Sequence, residues 1–297
     1  MKNVSHGVRV VALTVATVAS FVTFGLVSSS SAGADTPVTA FYLDIGASAS
    51  LGVQPTASYP KGQRTDEGYA DYVVAQEATK GVTLELHEIG CSGEITNTMV
   101  YGGDRCYVSP DTQLNEAISF LQSHQDENGL VTIDLGFNDL LPCLHQWSTN
   151  PDCVTRHLDN VRQQLTAIIG LLKDVAGANV KFIGVGHYDP YVAESLNDPY
   201  RADFSKWSMH VVRHLDEVLS SVYKSFEIPM ADVAQAFKID STATVNIAGI
   251  GAVPENVAEV CHLTWMCQPG PLGPNIHPND AGYQSIAAAI EQQLTPW

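Results

Sequence analysis

Short apolar runs rich in β-branched residues recur along the chain. Between them lie longer segments whose apolar positions return every three or four residues. Val38–Ile45, Val82–Ile89, Leu130–Leu135 and Val180–Val185 are continuous runs too short for buried helices, and each predicts a strand; Met230–Val233 predicts a shorter fifth. Glu67–Lys80, stopped by Gly81, and Thr112–Gln125, with Leu114, Ile118 and Leu121 on one face, predict helices. Asp152–Val175 carries Leu158, Val161, Leu165, Ile168, Ile169 and Leu172 at helical spacing, and Ala202–Phe226 and Ala281–Leu294 complete the helical set. Strands without clean apolar–polar alternation, interleaved with amphipathic helices, predict an α/β fold whose parallel sheet is covered on both faces. Residues 240–278 show neither period and hold Pro254, Pro269, Pro271 and Pro274, so they are expected to be irregular. No repeat and no Pro- or Gly-rich linker divides the sequence, which predicts one domain.

The N-terminus departs from that pattern. Lys2 and Arg9 precede an uncharged stretch of 18 residues, Val10–Val27, followed by a Ser-rich segment and Ala32-Gly33-Ala34, a small-x-small site. An uncleaved anchor is the alternative, but Thr14, Thr17, Ser20, Thr23 and Gly25 interrupt the stretch and the cleavage site follows at once. The expectation is a signal peptide over residues 1–34, a single domain over 35–297 and a secreted, extracellular protein. The chain has 297 residues, with 15 Lys+Arg against 32 Asp+Glu, a formal charge of −17. Such a surface repels phosphate backbones and anionic membranes, so nucleic-acid partners are excluded and no stable membrane insertion is expected after cleavage. All six cysteines, Cys91, Cys106, Cys143, Cys153, Cys261 and Cys267, lie after the leader, and no Cys-x-x-Cys occurs. Disulfides suit export, and sequence order suggests Cys91–Cys106, Cys143–Cys153 and Cys261–Cys267 among the many possible pairings.

In an open parallel sheet, chemistry is expected at the carboxyl ends of the strands. The first strand is followed by Gly46-Ala47-Ser48-Ala49-Ser50-Leu51-Gly52, where small neighbours let a serine hydroxyl stand clear, although a plain Gly/Ser turn has the same composition. It is neither the Gly-x-Ser-x-Gly elbow nor a Gly-x-Gly-x-x-Gly dinucleotide fingerprint. The second strand leads to Gly90-Cys91-Ser92-Gly93-Glu94, which admits either a close backbone approach to a ligand or a turn pinned at Cys91. The third leads to Gly136-Phe137-Asn138-Asp139, a polar pair behind an apolar strand that could also cap a helix. Near the C-terminus stands Asn275-Ile276-His277-Pro278-Asn279-Asp280-Ala281-Gly282-Tyr283. His210 and His214 have the spacing of helical metal ligands, but Val211 occupies the place of the zinc-protease Glu, and no metal site is expected.

Taken together and in this order, the four stretches resemble the four blocks of the SGNH (GDSL-type) hydrolase family. The Gly-Asp-Ser of block one corresponds to Gly46-Ala47-Ser48 with Gly52, the second-block glycine to Gly93, Gly-x-Asn-Asp to Gly136–Asp139, and the last block to His277-Pro278-Asn279 with Gly282-Tyr283. The chain is most similar to secreted actinobacterial-type esterases and lipases with three disulfides, in which stretches like Thr264–Cys267 and Gly102–Cys106 recur.

The resemblance implies a three-layer α/β/α sandwich, flavodoxin-like, with a mainly parallel five-stranded sheet. It implies a carboxylic ester hydrolase working through an acyl-enzyme, with Ser48 as nucleophile and His277 as base. The oxyanion hole would be the Ser48 N–H, the Gly93 N–H and the Asn138 side-chain amide. No cofactor is required, the partner is a small-molecule or lipid ester, and a monomer is expected. The alternative is a degenerate, non-catalytic binding protein of the same fold. Two departures motivate that alternative. Ala47 replaces the usual Asp, whose loss is expected to loosen the turn. Pro274 stands where the acid three residues before His277 belongs. Family members lacking that acid orient the histidine with a backbone carbonyl, so a carbonyl from the loop Cys267–Asn275 is expected here, with Asp280 as the competing side chain.

Overall fold

A computed structural model of the chain describes residues 38–145 and 149–297; the expected leader, residues 1–34, lies outside the described residues. In chain order the elements are β1 (Val38–Gly46), α1 (Tyr69–Thr79), β2 (Val82–Glu88), α2 (Thr96–Tyr101), α3 (Gln113–Ser123), β3 (Gly129–Asp134), α4 (Phe137–Leu144), α5 (Pro151–Val175), β4 (Val180–Val185), α6 (Glu194–Asn197), α7 (Ala202–Ser225), β5 (Met230–Ala231), α8 (Val233–Ala236), β6 (Thr244–Ile247), β7 (Gly251–Pro254), α9 (Glu255–Leu263) and α10 (Asp280–Glu291). The first five strands form one sheet in the order β2-β1-β3-β4-β5, and every pair in it is parallel. Helices α1 and α10 pack together on one face, while α3, α5 and α7 pack side by side on the other. Among the described residues no helix is long and apolar enough to cross a membrane.

The strands follow from the apolar runs. Every residue of β3 is buried, as a central strand covered on both faces requires. Local signals fix the helix starts: the Thr112 hydroxyl accepts from Asn115 N at 2.9 Å, and Asn150 Oδ1 accepts from Cys153 N at 3.1 Å just before Pro151 opens α5. At the end of β1 the buried Gln113 amide takes the place of a strand partner, accepting from Gly46 N at 3.1 Å and donating to Gly46 O at 3.0 Å. A Cβ at Gly46 would stand 2.6 Å from Asp134 O, so only glycine lets β1 and β3 close up here.

One expectation needs correction. Residues 240–278 are not irregular throughout: β6 and β7 pair as an antiparallel hairpin, and α9 follows directly on Pro254. Two four-residue strands are too short to show a period, and Gly249 and Gly251 turn the hairpin at φ 81° and 103°. The polar pair Asn138-Asp139 lies in the first turn of α4, which also contains Pro142.

Candidate active site

The turn after β1 presents Ser48. Its neighbour Ala47 is buried, and Ser50 is fully buried with its hydroxyl donating to Ala47 O at 2.8 Å. A Cβ at Gly90 would sit 2.1 Å from that hydroxyl, so Ser50 is walled in while Ser48 stays half-exposed. The absence of an Asp at position 47 does not leave the turn unsupported. The Asp134 carboxylate, at the end of the adjacent strand β3, faces the backbone amides of Ala47 and Ser50, which favour its charged form. Burial pushes the Asp134 carboxyl up, and His187, with Nδ1 3.6 Å from Asp134 Oδ1, pulls it back down.

Asn138 stands in the first turn of α4, behind Gly136 at φ 115°, and its Nδ2 donates to Glu94 O at 3.0 Å. That bond uses one of the two amide hydrogens. The adjacent Asp139 does different work: it is buried, and its carboxylate accepts from Thr96 N and, at 2.6 Å, from the Thr96 hydroxyl, tying α4 to α2. Gly93 sits at φ 84°, where a Cβ would meet Arg105 Nη1 at 2.1 Å. Arg105 in turn donates to Ser92 O at 2.9 Å. Among the described residues neither the Ser48 N–H nor the Gly93 N–H has a hydrogen-bond acceptor within the chain.

His277 precedes α10, which Asn279 caps by accepting from Gly282 N at 3.1 Å. The imidazole Nδ1 lies 2.7 Å from the side-chain oxygen of Asn275, and the same oxygen accepts His277 N at 2.9 Å. This corrects the expected backbone carbonyl: the loop bends so that an amide side chain, two residues back, reaches the ring first. Asp280 is turned elsewhere and accepts from Gln54 Nε2 at 2.7 Å. Burial, with no charged neighbour contributing, lowers the His277 pKa to about 4.

Ser48, Asn138 and His277 line one pocket of about 490 Å³ counted out to its open mouth. Its other walls include Ala47, Ala49, Phe137, Tyr188 and Ile276, and it also receives Glu94, Asp134 and His187. Gly93 does not line it; it lines an adjoining recess with Arg105, and Glu94 is shared between the two. The site therefore lies at the carboxyl ends of β1, β3 and β4. The sequence reading missed His187, whose Nε2 donates to Leu135 O at 3.2 Å; its place directly after β4 is the signal that marks it.

The three disulfides are Cys91–Cys106, Cys143–Cys153 and Cys261–Cys267, with Cα separations of 5.8, 5.8 and 5.0 Å, as sequence order suggested. His157 stands beside Cys143 and Cys153 in a grouping with metal-site spacing, but both sulfurs are bonded to each other.

No family model and no curated protein matches the chain. Solved structures do. Phospholipase A1 from Streptomyces albidoflavus superposes with a TM-score of 0.55 at 16% identity, over 86% of this chain and 99% of that one. The extracellular lipase from Streptomyces rimosus gives a TM-score of 0.53 at 16% identity, over 86% and 100%. The lipase Lip_vut3 from a goat rumen metagenome gives 0.52 at 15% identity, over 86% and 97%. At such identities the likeness is one of fold, and this chain shares with that phospholipase and those lipases a three-layer α/β/α fold, whose sheet order β2-β1-β3-β4-β5 is flavodoxin-like.

Proposed function

We propose that the chain is a secreted carboxylic ester hydrolase using Ser48 as nucleophile and His277 as general base. The observation that carries this reading is the convergence of Ser48, Asn138 and His277 on one pocket at the carboxyl edge of the sheet. A serine hydroxyl is a weak nucleophile until a base takes its proton. A neutral His277 takes the Ser48 proton as Oγ attacks the ester carbonyl, then returns it to the leaving alcohol. Water, activated in the same way, hydrolyses the acyl-enzyme and restores Ser48. The free N–H groups of Ser48 and Gly93, with the second hydrogen of the Asn138 amide, are the donors proposed for the oxyanion. One such donor contributes about 3 to 4 kcal/mol to barrier lowering.

The alternative of a non-catalytic binding protein rested on Ala47 and Pro274. The Asp134 carboxylate faces the amides of the nucleophile turn and Asn275 meets the histidine ring, which favours the hydrolase. Export is supported by three disulfides and by the leader-like N-terminus. The phospholipase and lipase that share the fold favour an acyl ester as substrate. A p-nitrophenyl ester chain-length series on the protein from Asp35 onward, with Ser48→Ala alongside, tests the activity. Fluorophosphonate labelling followed by peptide mapping tests the nucleophile. Hydrolysis lost in Ser48→Ala, with label on Ser48, is expected. Label on Ser50, or full activity in Ser48→Ala, overturns the assignment.

A further inference from the structure

We infer that Asn275 is the positioning residue of the base: its side-chain amide takes the place of a triad carboxylate and fixes His277 with Nδ1 protonated and Nε2 bare. This rests on the esterase reading for its kinetic consequence but on geometry for the tautomer.

The geometry determines which amide atom faces the ring. Asn275 Oδ1 receives the backbone N–H of His277 at 2.9 Å, and a backbone N–H can only donate. Asn275 Nδ2 donates to Pro60 O at 3.0 Å, and a carbonyl can only accept. Flipping the amide would set donor against donor at one end and acceptor against acceptor at the other, so its orientation is forced. The atom 2.7 Å from His277 Nδ1 is therefore an acceptor, and Nδ1 must carry the hydrogen. Asn275 is itself anchored, its N–H donating to Trp265 O at 3.2 Å while Trp265 N donates to His277 O at 3.1 Å. The Cys261–Cys267 bridge closes the segment that carries Trp265.

An amide fixes tautomer and ring angle but brings no charge. In a Ser-His-Asp arrangement the carboxylate also stabilises the imidazolium. Here none of the groups around His277 supplies that. The ionisable groups that share its pocket are Glu94 from the β2–α2 segment, Asp134 from the end of β3, and His187 and Tyr188 from the segment after β4. Burial raises both carboxyls, and none of these groups contributes to the shift of His277. The turn bearing Ser48 adds no ionisable side chain to the pocket, Tyr59 and Lys61 beside Pro60 are exposed and contribute nothing to the His277 shift, and Asp280 on α10 is hydrogen-bonded to Gln54. The bare Nε2 therefore remains available as a base well into the acid range, and esterolysis persists where a charged triad is already protonated.

Two measurements on the whole protein from Asp35 onward separate this from the esterase reading. Nitrogen-15 NMR of the histidine ring, assigned by comparison with His277→Gln, reports the tautomer whether or not any ester is cleaved. The Nδ1–H form is expected in wild type and in Ser48→Ala; the Nε2–H form in wild type overturns the inference. The pH profile of kcat/KM on a p-nitrophenyl ester is the second. Asn275→Asp adds a carboxylate beside the ring and is expected to move the acid limb upward by about one to three pH units. Asn275→Ala is expected to lower kcat by about 10²-fold with KM little changed, as for a misplaced catalytic group. An acid limb unmoved in Asn275→Asp together with wild-type kcat in Asn275→Ala overturns it. Absence of all ester hydrolysis with the Nδ1–H form intact overturns the proposed function alone.

Discussion

The Tyr188 phenol donates to the carbonyl oxygen of Ile276 at 2.5 Å, so the segment leaving β4 holds the residue immediately before the candidate base. Tyr188 is itself held by stacking on Phe237, with ring centroids 4.2 Å apart. Tyr188→Phe keeps the stack and removes only the hydroxyl. The expected outcome is a kcat about tenfold lower with KM nearly unchanged, and a Tm lowered by about 2–4 °C, the size of one neutral hydrogen bond in a domain this large. Steady-state kinetics beside a melting curve check it; a lowered Tm with wild-type kcat would confine Tyr188 to stability.

Asn138→Ala removes the side-chain amide proposed as an oxyanion donor. A fall in kcat of roughly 10²–10³-fold, with little change in KM, is expected because such a donor acts mainly in the transition state. The variant also leaves Glu94 O without the Asn138 donor, so thermal melting must accompany the kinetics. Unchanged kcat in a folded variant would reduce Asn138 to a clamp between α4 and the Glu94 segment.

Asp280 accepts from Gln54 and begins a helix, where a carboxylate favours the N-terminal dipole. Asp280→Asn is expected to keep at least about a tenth of wild-type activity, whereas His277→Ala abolishes it. A loss near 10⁴-fold in Asp280→Asn, the size seen when a triad acid is amidated, would return the acid role to a side chain after all.

Stability should favour the acid side. Burial pushes the Asp189 carboxyl up to about 7, while the Ser208 hydroxyl at 2.7 Å and Tyr191 N at 2.9 Å pull it down. Burial likewise lifts Asp216, which accepts from His187 N at 3.0 Å, to about 6. Between the ordinary carboxyl range and these values the folded chain binds more protons than the unfolded one, so stability falls as pH rises through that window. His277, lowered to about 4, works the other way, losing stability as pH falls from the ordinary histidine range toward 4. With two carboxyls against one imidazole, Tm is expected to decline from pH 5 to pH 8. Asp189→Asn, neutral throughout and able to keep both partners, should flatten that decline; an unchanged slope would show that Asp189 is not its source.

The strands and long helices were legible because their apolar runs and helical periods are long enough to count. Ser48, Asn138 and His277, which line one pocket, could be singled out as candidates because each stands in a short polar stretch at a strand end or a helix start, whereas Gly93 lines the adjoining recess. Asn275 was not legible. Its role depends on a loop folding back so that an amide two residues before the histidine meets the ring, and no local period encodes that. Asp134 escaped for a related reason: in sequence it ends a buried strand, and only the pairing of β1 with β3 brings its carboxylate to the N–H groups of Ala47 and Ser50. The hairpin β6–β7 and helix α9 were hidden by brevity and by flanking proline.

Because β1 is an interior strand and all five strands run the same way, Val38 and Ser48 lie at opposite edges of the sheet. Nine strand residues span about 30 Å. A bead, electrode or fusion partner joined just ahead of Val38 is therefore attached behind the sheet, with the mouth of the candidate site turned outward to the bulk. Coupling through the N-terminal side presents the candidate site in one orientation, whereas random coupling through lysines would also engage Lys61, which lies on the β1–α1 segment at the same edge as the pocket.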